Sequence, residues 1–385
     1  MKPSTFAITR NAILLLPRLL ATGLLVLFDQ LFFTTSSRLK KFTSKPWLAQ
    51  HLGIPPDQIE SARIEAVHHG TASRSRLHIA YKENPDAPPG PTSFFIKSRP
   101  PDYASALFGA LFRLGGNEVS FYRQIRPTLP IPAPRVHYCE GDSKNYAMLL
   151  EDLAVTGSDF RELSSGCSLA QARIIVSTLA RLHAHFWQSP RFQTDLSFVN
   201  RLETDRDFRL LDLVRQLAVP IALKKYAHVL PAEIREVVPH LMRNYGRLEQ
   251  QWAKEPRTLV HGDAHLGNMY FQGDQVGFLD WQVTQLGQGM RDITYFLINS
   301  TSTELRRAHQ EDLIRHYLSS LGDLGVTLDF DTAWRQYRLQ SVYAWIAGVV
   351  TAPSNFQGEE VVVAGLTRSC KAILDLDAIE LIREL

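Results

Sequence analysis

Between Val260 and Gln282 the chain reads VHGDAHLGNMYFQGDQVGFLDWQ, and three of these residues have the types and spacing that phosphoryl transfer needs. That reaction depends on positioning and charge neutralisation more than on covalent chemistry. Asp263 would take the proton of a substrate hydroxyl, while Asn268 and Asp280 would hold Mg²⁺ on nucleotide phosphates. One carboxylate and one amide oxygen suit an ion that keeps water and phosphate oxygens as its other ligands.

Asp263 and Asn268 are five residues apart, the offset found in the catalytic loop H-R-D-x-x-x-x-N of protein kinases, so one loop can aim both. Asp280 lies 17 residues beyond Asp263. The apolar runs MYF and VGFL flank QGDQ, which predicts a hairpin turning at Gly273 and Asp274 and returning Asp280 beside Asn268. H-x-D-x-H is also a metal-ligand pattern of hydrolases, but that use calls for further His or Asp ligands elsewhere. The remaining histidines are scattered singly or lie in the helical LARLHAHFW, and a metal cluster would leave Asn268 and Asp280 unexplained. His261 is expected to brace the loop, and His265 either to pack or to line the acceptor site.

The paired segments HGDAHLGN and FLDWQ resemble those of the aminoglycoside phosphotransferase and choline kinase-like superfamily, most closely its ecdysteroid kinase-like, or CHK-type, group. The similarity continues through MLLEDLA, LARLHAHFW and GMRDITYFL and covers roughly residues 46 to 385. It implies an α+β, protein kinase-like fold of two lobes, with a small antiparallel-sheet N-lobe and a mostly helical C-lobe. It further implies an ATP- and Mg²⁺-dependent transfer to the hydroxyl of a small molecule. Nothing in the motifs selects the acceptor. The other reading is a nucleotide-binding pseudokinase or membrane-adjacent scaffold without turnover, though such proteins tend to lose the base or a metal ligand, and both are present.

Three segments follow from this pattern: residues 1–45 as an N-terminal hydrophobic helix and basic linker, 46–150 as the N-lobe, and 151–385 as the C-lobe. In the N-lobe, SARIEAVHHG, SRLHIAYKE and TSFFIKSR read as strands, the last two separated by the turn-rich NPDAPPGP. Gly70 to Ser75, GTASRS, lies between the first two. It folds either over nucleotide phosphates, with Gly70, Thr71, Ser73 and Ser75 as contacts, or as an ordinary hairpin turn. Lys97 ends the run FFIK where kinases carry their phosphate-orienting lysine, and Glu118 on the next helix is its expected partner. Tyr146 to Leu150 reads as a strand leading into a hinge, EDLA, where Met148 would pack on the adenine ring. Asp152 either touches the ribose or caps the following turn.

The C-lobe sequence LAQARIIVSTLARLHAHFW has the apolar period of a core-facing helix, with His183 and His185 packed. In the family pattern Asp292 ties a helix start to the catalytic loop, and Arg291 beside it reads as a surface or helix-end charge. Trp334, Tyr337, Tyr343, Trp345 and Phe356, with Glu359 and Glu360, form either a cage for a cationic alcohol or plain core. A bulky apolar alcohol would also suit these aromatics.

Composition fits a soluble enzyme, with 385 residues, 45% hydrophobic and 21% charged, enough for two cores. A net charge of +3 without a basic run in the body or a matching motif gives no nucleic-acid partner. Cys139, Cys167 and Cys370 form no C-x-x-C pair and point to a reducing compartment. Ala12 to Phe33 approaches the roughly 20 apolar residues of a membrane span, but Pro17, Arg18 and Asp29 interrupt it. Arg18, Thr22 and Asp29 share one helical face, leaving a broad apolar one. Two placements follow: a helix lying on a membrane, with Arg38, Lys40, Lys41 and Lys45 facing anionic headgroups, or a helix packed on the body. No A-x-A cleavage site is seen, so no removed signal peptide is expected, and the use of ATP places the catalytic body in the cytoplasm, peripheral to a membrane if the helix binds one.

Overall fold

The computed structural model describes residues 5–32, 39–69, 71–82, 90–162, 165–201, 208–352 and 358–385. Helix α1 (Thr5–Phe32) precedes a short helix α2 (Lys45–Leu52) and a five-stranded antiparallel sheet. The strands are β1 (Ile59–His69), β2 (Ser73–Tyr81), β3 (Ser93–Ser98), β4 (Val136–Gly141) and β5 (Tyr146–Glu151), in the order β1-β2-β3-β5-β4. Between β3 and β4 come α3 (Tyr103–Leu111), whose first turn is capped by Asp102 accepting from the Ser105 N–H at 2.8 Å, and α4 (Leu114–Ser120).

Alternation gives the sheet two working faces. Leu77, Ile79, Phe94, Ile96 and Leu149 turn to one side, where they pack with Leu39, Phe42 and Leu48. Met148 and Leu150 turn to the other side and join the main core. Cross-strand register then sets Arg74, Lys97 and Met148 in one row on three adjacent strands.

The rest is mostly helical: α5 (Leu169–His185), α6 (Phe208–Lys225), α7 (Ala232–Trp252), α8 (Met290–Ser300), α9 (Thr303–Gly322), α10 (Phe330–Thr351), α11 (Glu359–Asp375) and α12 (Ala378–Arg383). Helix α5 begins with a capping box, Ser168 and Gln171 satisfying each other's backbone N–H groups. Helix α8 is enclosed along nearly its whole length. Two small sheets thread these helices: β6 (Asp159–Phe160) pairs with β9 (Met269–Gln272), and β7 (Asn200–Arg201) and β8 (Thr258–Val260) flank β11 (Gln285–Gly287). Strand β10 (Gln275–Phe278) returns antiparallel to β9 through Gly273 and Asp274, the hairpin expected from the sequence, with Gly273 at φ 57°.

A second core gathers α6, α7, α10, α11 and α12 around Trp252 and Trp345. Tyr337 belongs to the first core and Trp345 to the second, so these aromatics do not line one cage. Phe356 lies outside the described residues. Helix α1 packs on α3 and α6, with Leu15 and Leu19 against Leu111, Leu210, Leu213 and Val214.

Candidate active site

The catalytic loop follows β8 and is held from below by one buried carboxylate. Asp292, in the first turn of α8, accepts the N–H of His261 at 2.7 Å and of Gly262 at 2.9 Å, and its Oδ2 lies 3.2 Å from His183 Nε2. Burial would raise this carboxyl, but those bonds and the two histidines hold it below its ordinary range. His261 braces the loop from inside, its Nε2 on the Leu279 carbonyl at 2.8 Å and its Nδ1 accepting the Asp263 N–H at 3.2 Å. Gly262 has φ 85°, and a β-carbon there would stand 2.5 Å from the Val283 carbonyl, so glycine is required.

Asp263 emerges from this loop with its carboxylate partly open to solvent. Asn268 donates its Nδ2 to Asp263 Oδ2 at 2.9 Å and to the Asp263 carbonyl at 3.0 Å, which leaves its amide oxygen as the atom it presents to a cation. His265 Nε2 stands 3.6 Å from Asp263 Oδ2. Burial pushes the Asp263 carboxyl up, but the charge and hydrogen bond of His265, His261 and a hydrogen bond from Tyr295 outweigh it and keep the group ionised. His265 is raised in return: burial lowers it, and Asp263 more than compensates. Tyr343 donates to the Gly262 carbonyl at 2.9 Å, its ring 5.7 Å from that of Tyr295.

Asp280 meets the N-lobe. The Leu279 N–H donates to the Asn268 carbonyl at 2.8 Å, bringing the following residue back beside the loop as the hairpin predicted. Lys97 Nζ lies 2.8 Å from Asp280 Oδ1 and 2.6 Å from Glu118 Oε2, and Arg74 Nη2 lies 3.2 Å from Asp280 Oδ2. Burial raises the Glu118 carboxyl against the pull of Lys97, whereas Lys97 and Arg74 overcome burial at Asp280 and lower it. Phe121, just after α4, stacks on Trp281 at 4.1 Å, and Asn117 donates to the Gln282 carbonyl at 3.1 Å, fixing the Glu118 helix to the Asp280 turn. A donor set of one Asp and one Asn near a buried lysine fits Mg²⁺ bound with a nucleotide. Among the described residues, no three His, Cys, Asp or Glu side chains gather to hold a metal by themselves.

Two expectations need correction, the contacts of Ser73 and Ser75 and the surface place of Arg291. Ser73 and Ser75 lie on the face of β2 opposite Arg74 and are buried, so their hydroxyls point away from the Lys97 row, and the side chain GTASRS offers the site is Arg74. Thr71 is half-buried just ahead of β2, and Gly70 lies outside the described residues. Asp152 is taken up as a cap: it accepts from Ala154 N at 3.2 Å and from Arg76 Nε at 2.5 Å, and pairs with Ser93. Arg291 is no surface charge. It is fully enclosed, donating to Gln285 Oε1 at 2.9 Å and Gln340 Oε1 at 3.2 Å with its guanidinium 4.3 Å from the Tyr343 ring. Sequence reasoning missed Arg74 and Tyr295; only the strand alternation that pairs Arg74 with Lys97 could have signalled the first.

The fold and this site together define a kinase-like small-molecule phosphotransferase. An ethanolamine kinase from Plasmodium vivax superposes with a TM-score of 0.55 at 12% identity, covering 84% of this chain and 86% of that one. A choline kinase from Streptococcus pneumoniae gives 0.51 at 12% identity, with 86% and 97% covered. The model of the ecdysteroid kinase-like family matches residues 71–330, more than half of the sequence, and the chain belongs to that family. No curated protein matches it.

Proposed function

We propose that the protein transfers the γ-phosphate of ATP to a hydroxyl of a small molecule. The observation that carries this reading is the run of ion pairs from Glu118 through Lys97 to Asp280, set beside an ionised Asp263 that opens to solvent. A structural ion-pair network would not leave a second carboxylate accessible and oriented by both Asn268 and His265.

Each residue then has a task. Glu118 holds Lys97, and Lys97 and Arg74 turn their charge toward the phosphates. Asn268 and Asp280 would hold Mg²⁺, which when bound offsets charge gathering on the phosphate oxygens. Asp263 orients the acceptor hydroxyl. With its proton affinity lowered, it accepts the proton late, as the new oxygen–phosphorus bond forms and the bond to the departing ADP breaks. His265 and Tyr295 approach the Asp263 carboxylate, and Tyr343 packs beside Tyr295. Use of ATP places this chemistry in the cytoplasm.

The test is ADP release with Mg²⁺ and ATP against a panel of hydroxylated metabolites, with nucleotide binding followed by calorimetry. Asp263→Asn should lose acceptor-dependent turnover and bind nucleotide nearly as the parent does. Full activity in that variant would overturn the assignment. Nucleotide binding with no acceptor-dependent turnover across the panel would favour the scaffold reading.

A further inference from the structure

Helix α1 is built inside out. A helix on the surface of a soluble protein turns its apolar stripe to the core and its polar residues to water. Between Ala12 and Phe32 the order is reversed. Arg18 donates to the Leu111 carbonyl at 2.8 Å, Asp29 pairs with Arg99, and Gln30 donates to the Pro101 carbonyl at 2.6 Å, so the polar side chains face the body. The outward half carries only Ile, Leu, Pro, Ala and Phe. Ile13, Leu20, Leu24, Phe28, Leu31 and Phe32 are each 55–72% exposed.

Helix α6 continues this apolar surface. Leu210 and Val214 pack against α1, and the same stripe one and two turns on presents Leu217 and Ile221, 51% and 53% exposed. Lys224 and Lys225 then end the helix, both exposed. Beyond the other end of α1, Lys40 and Lys45 are exposed as well.

We infer that the outward faces of α1 and α6 form a docking surface for a bilayer carrying anionic lipid, with α1 lying in the plane of the headgroups. An apolar strip flanked by lysines is what such an interface solvates. The 21-residue stretch Ala12–Phe32 of α1 is long and apolar enough to cross a membrane. It is nevertheless pinned at Arg18, Gly23, Asp29 and Gln30, and crossing would strip those contacts from Leu111, Tyr103, Arg99 and Pro101. The inference does not depend on the kinase reading, and its test measures no turnover.

The full chain is sedimented with vesicles of phosphatidylcholine alone and of phosphatidylcholine with about a third phosphatidylserine. The chain should partition onto the anionic vesicles and release with salt. Leu24→Glu with Phe28→Glu, on the outward face, should abolish partitioning. Lys224→Gln with Lys225→Gln, at the exposed end of α6, should weaken it by roughly fivefold per lysine. Absence of binding to either vesicle overturns the inference, as does equal binding to both. A self-associating species in sedimentation velocity that the double glutamate variant disperses, without vesicle binding, assigns the surface to a second copy.

Discussion

Lys97→Met separates a working ion-pair relay from an ornamental one. Lys97 and Glu118 have side chains only 5% and 2% exposed, and the ammonium lies 2.6 Å from the glutamate and 2.8 Å from Asp280. Removing one partner of a buried pair costs about 3–5 kcal/mol. Methionine fills the space and Arg74 still serves Asp280, so the lower end, about 3 kcal/mol, is expected. The cost must also depend on pH. Burial already raises Glu118 above its ordinary 4.5, and Lys97 is the main opposing influence, so the variant raises it further. A carboxyl raised in the folded state contributes stability that is fully present below its unfolded pKa and is lost as pH rises through the folded value. The variant should therefore be destabilised most near pH 8 and least near pH 5. Urea midpoints of parent and variant at both values measure this, beside a fall in turnover of roughly a hundredfold or more. Equal destabilisation at the two pH values, a larger one in acid, or unchanged turnover would refute the reasoning.

Three further outcomes follow from the loop. His265→Gln removes the charge that keeps Asp263 low, so the acid limb of the kcat/KM profile should move to higher pH. Gly262→Ala forces a side chain into a left-handed backbone 2.5 Å from the Val283 carbonyl; a loss of about 1–3 kcal/mol and displacement of Asp263 should appear as reduced thermal stability and kcat. Asp292→Ala strands the N–H groups of His261 and Gly262, which at about 1–3 kcal/mol each should lower the urea midpoint substantially and abolish turnover together with it.

Features that local pattern determines were legible in the sequence. The turn at Gly273 and Asp274 follows from short apolar runs, whereas the meeting of Lys97 with Glu118 was expected from the positional match to a kinase lobe. Arg74 was hidden because its place depends on the register of β2 against β3, which no single strand reveals, and the same register turned Ser73 and Ser75 away. Arg291 looked like a helix-end charge because its partners, Gln285 and Gln340, come from β11 and α10. The polar and apolar faces of α1 were readable, whereas which of them meets the body depended on Arg99, Leu111 and Pro101, all far along the chain.

Asp280 sits at φ 59° and ψ 60°, with one oxygen on Lys97 and the other on Arg74, a latch joining the lobes. A divalent cation arriving alone would have to expel two cations from that carboxylate, leaving Lys97 to Glu118 alone and taking from Arg74 the carboxylate it faces. A cation arriving with a nucleotide brings phosphates that take over Lys97 and Arg74 as the carboxylate is freed. On the proposed reading, loading would then be an exchange of partners, with metal and nucleotide entering as one unit and free Mg²⁺ held weakly. ADP departure would reset the latch.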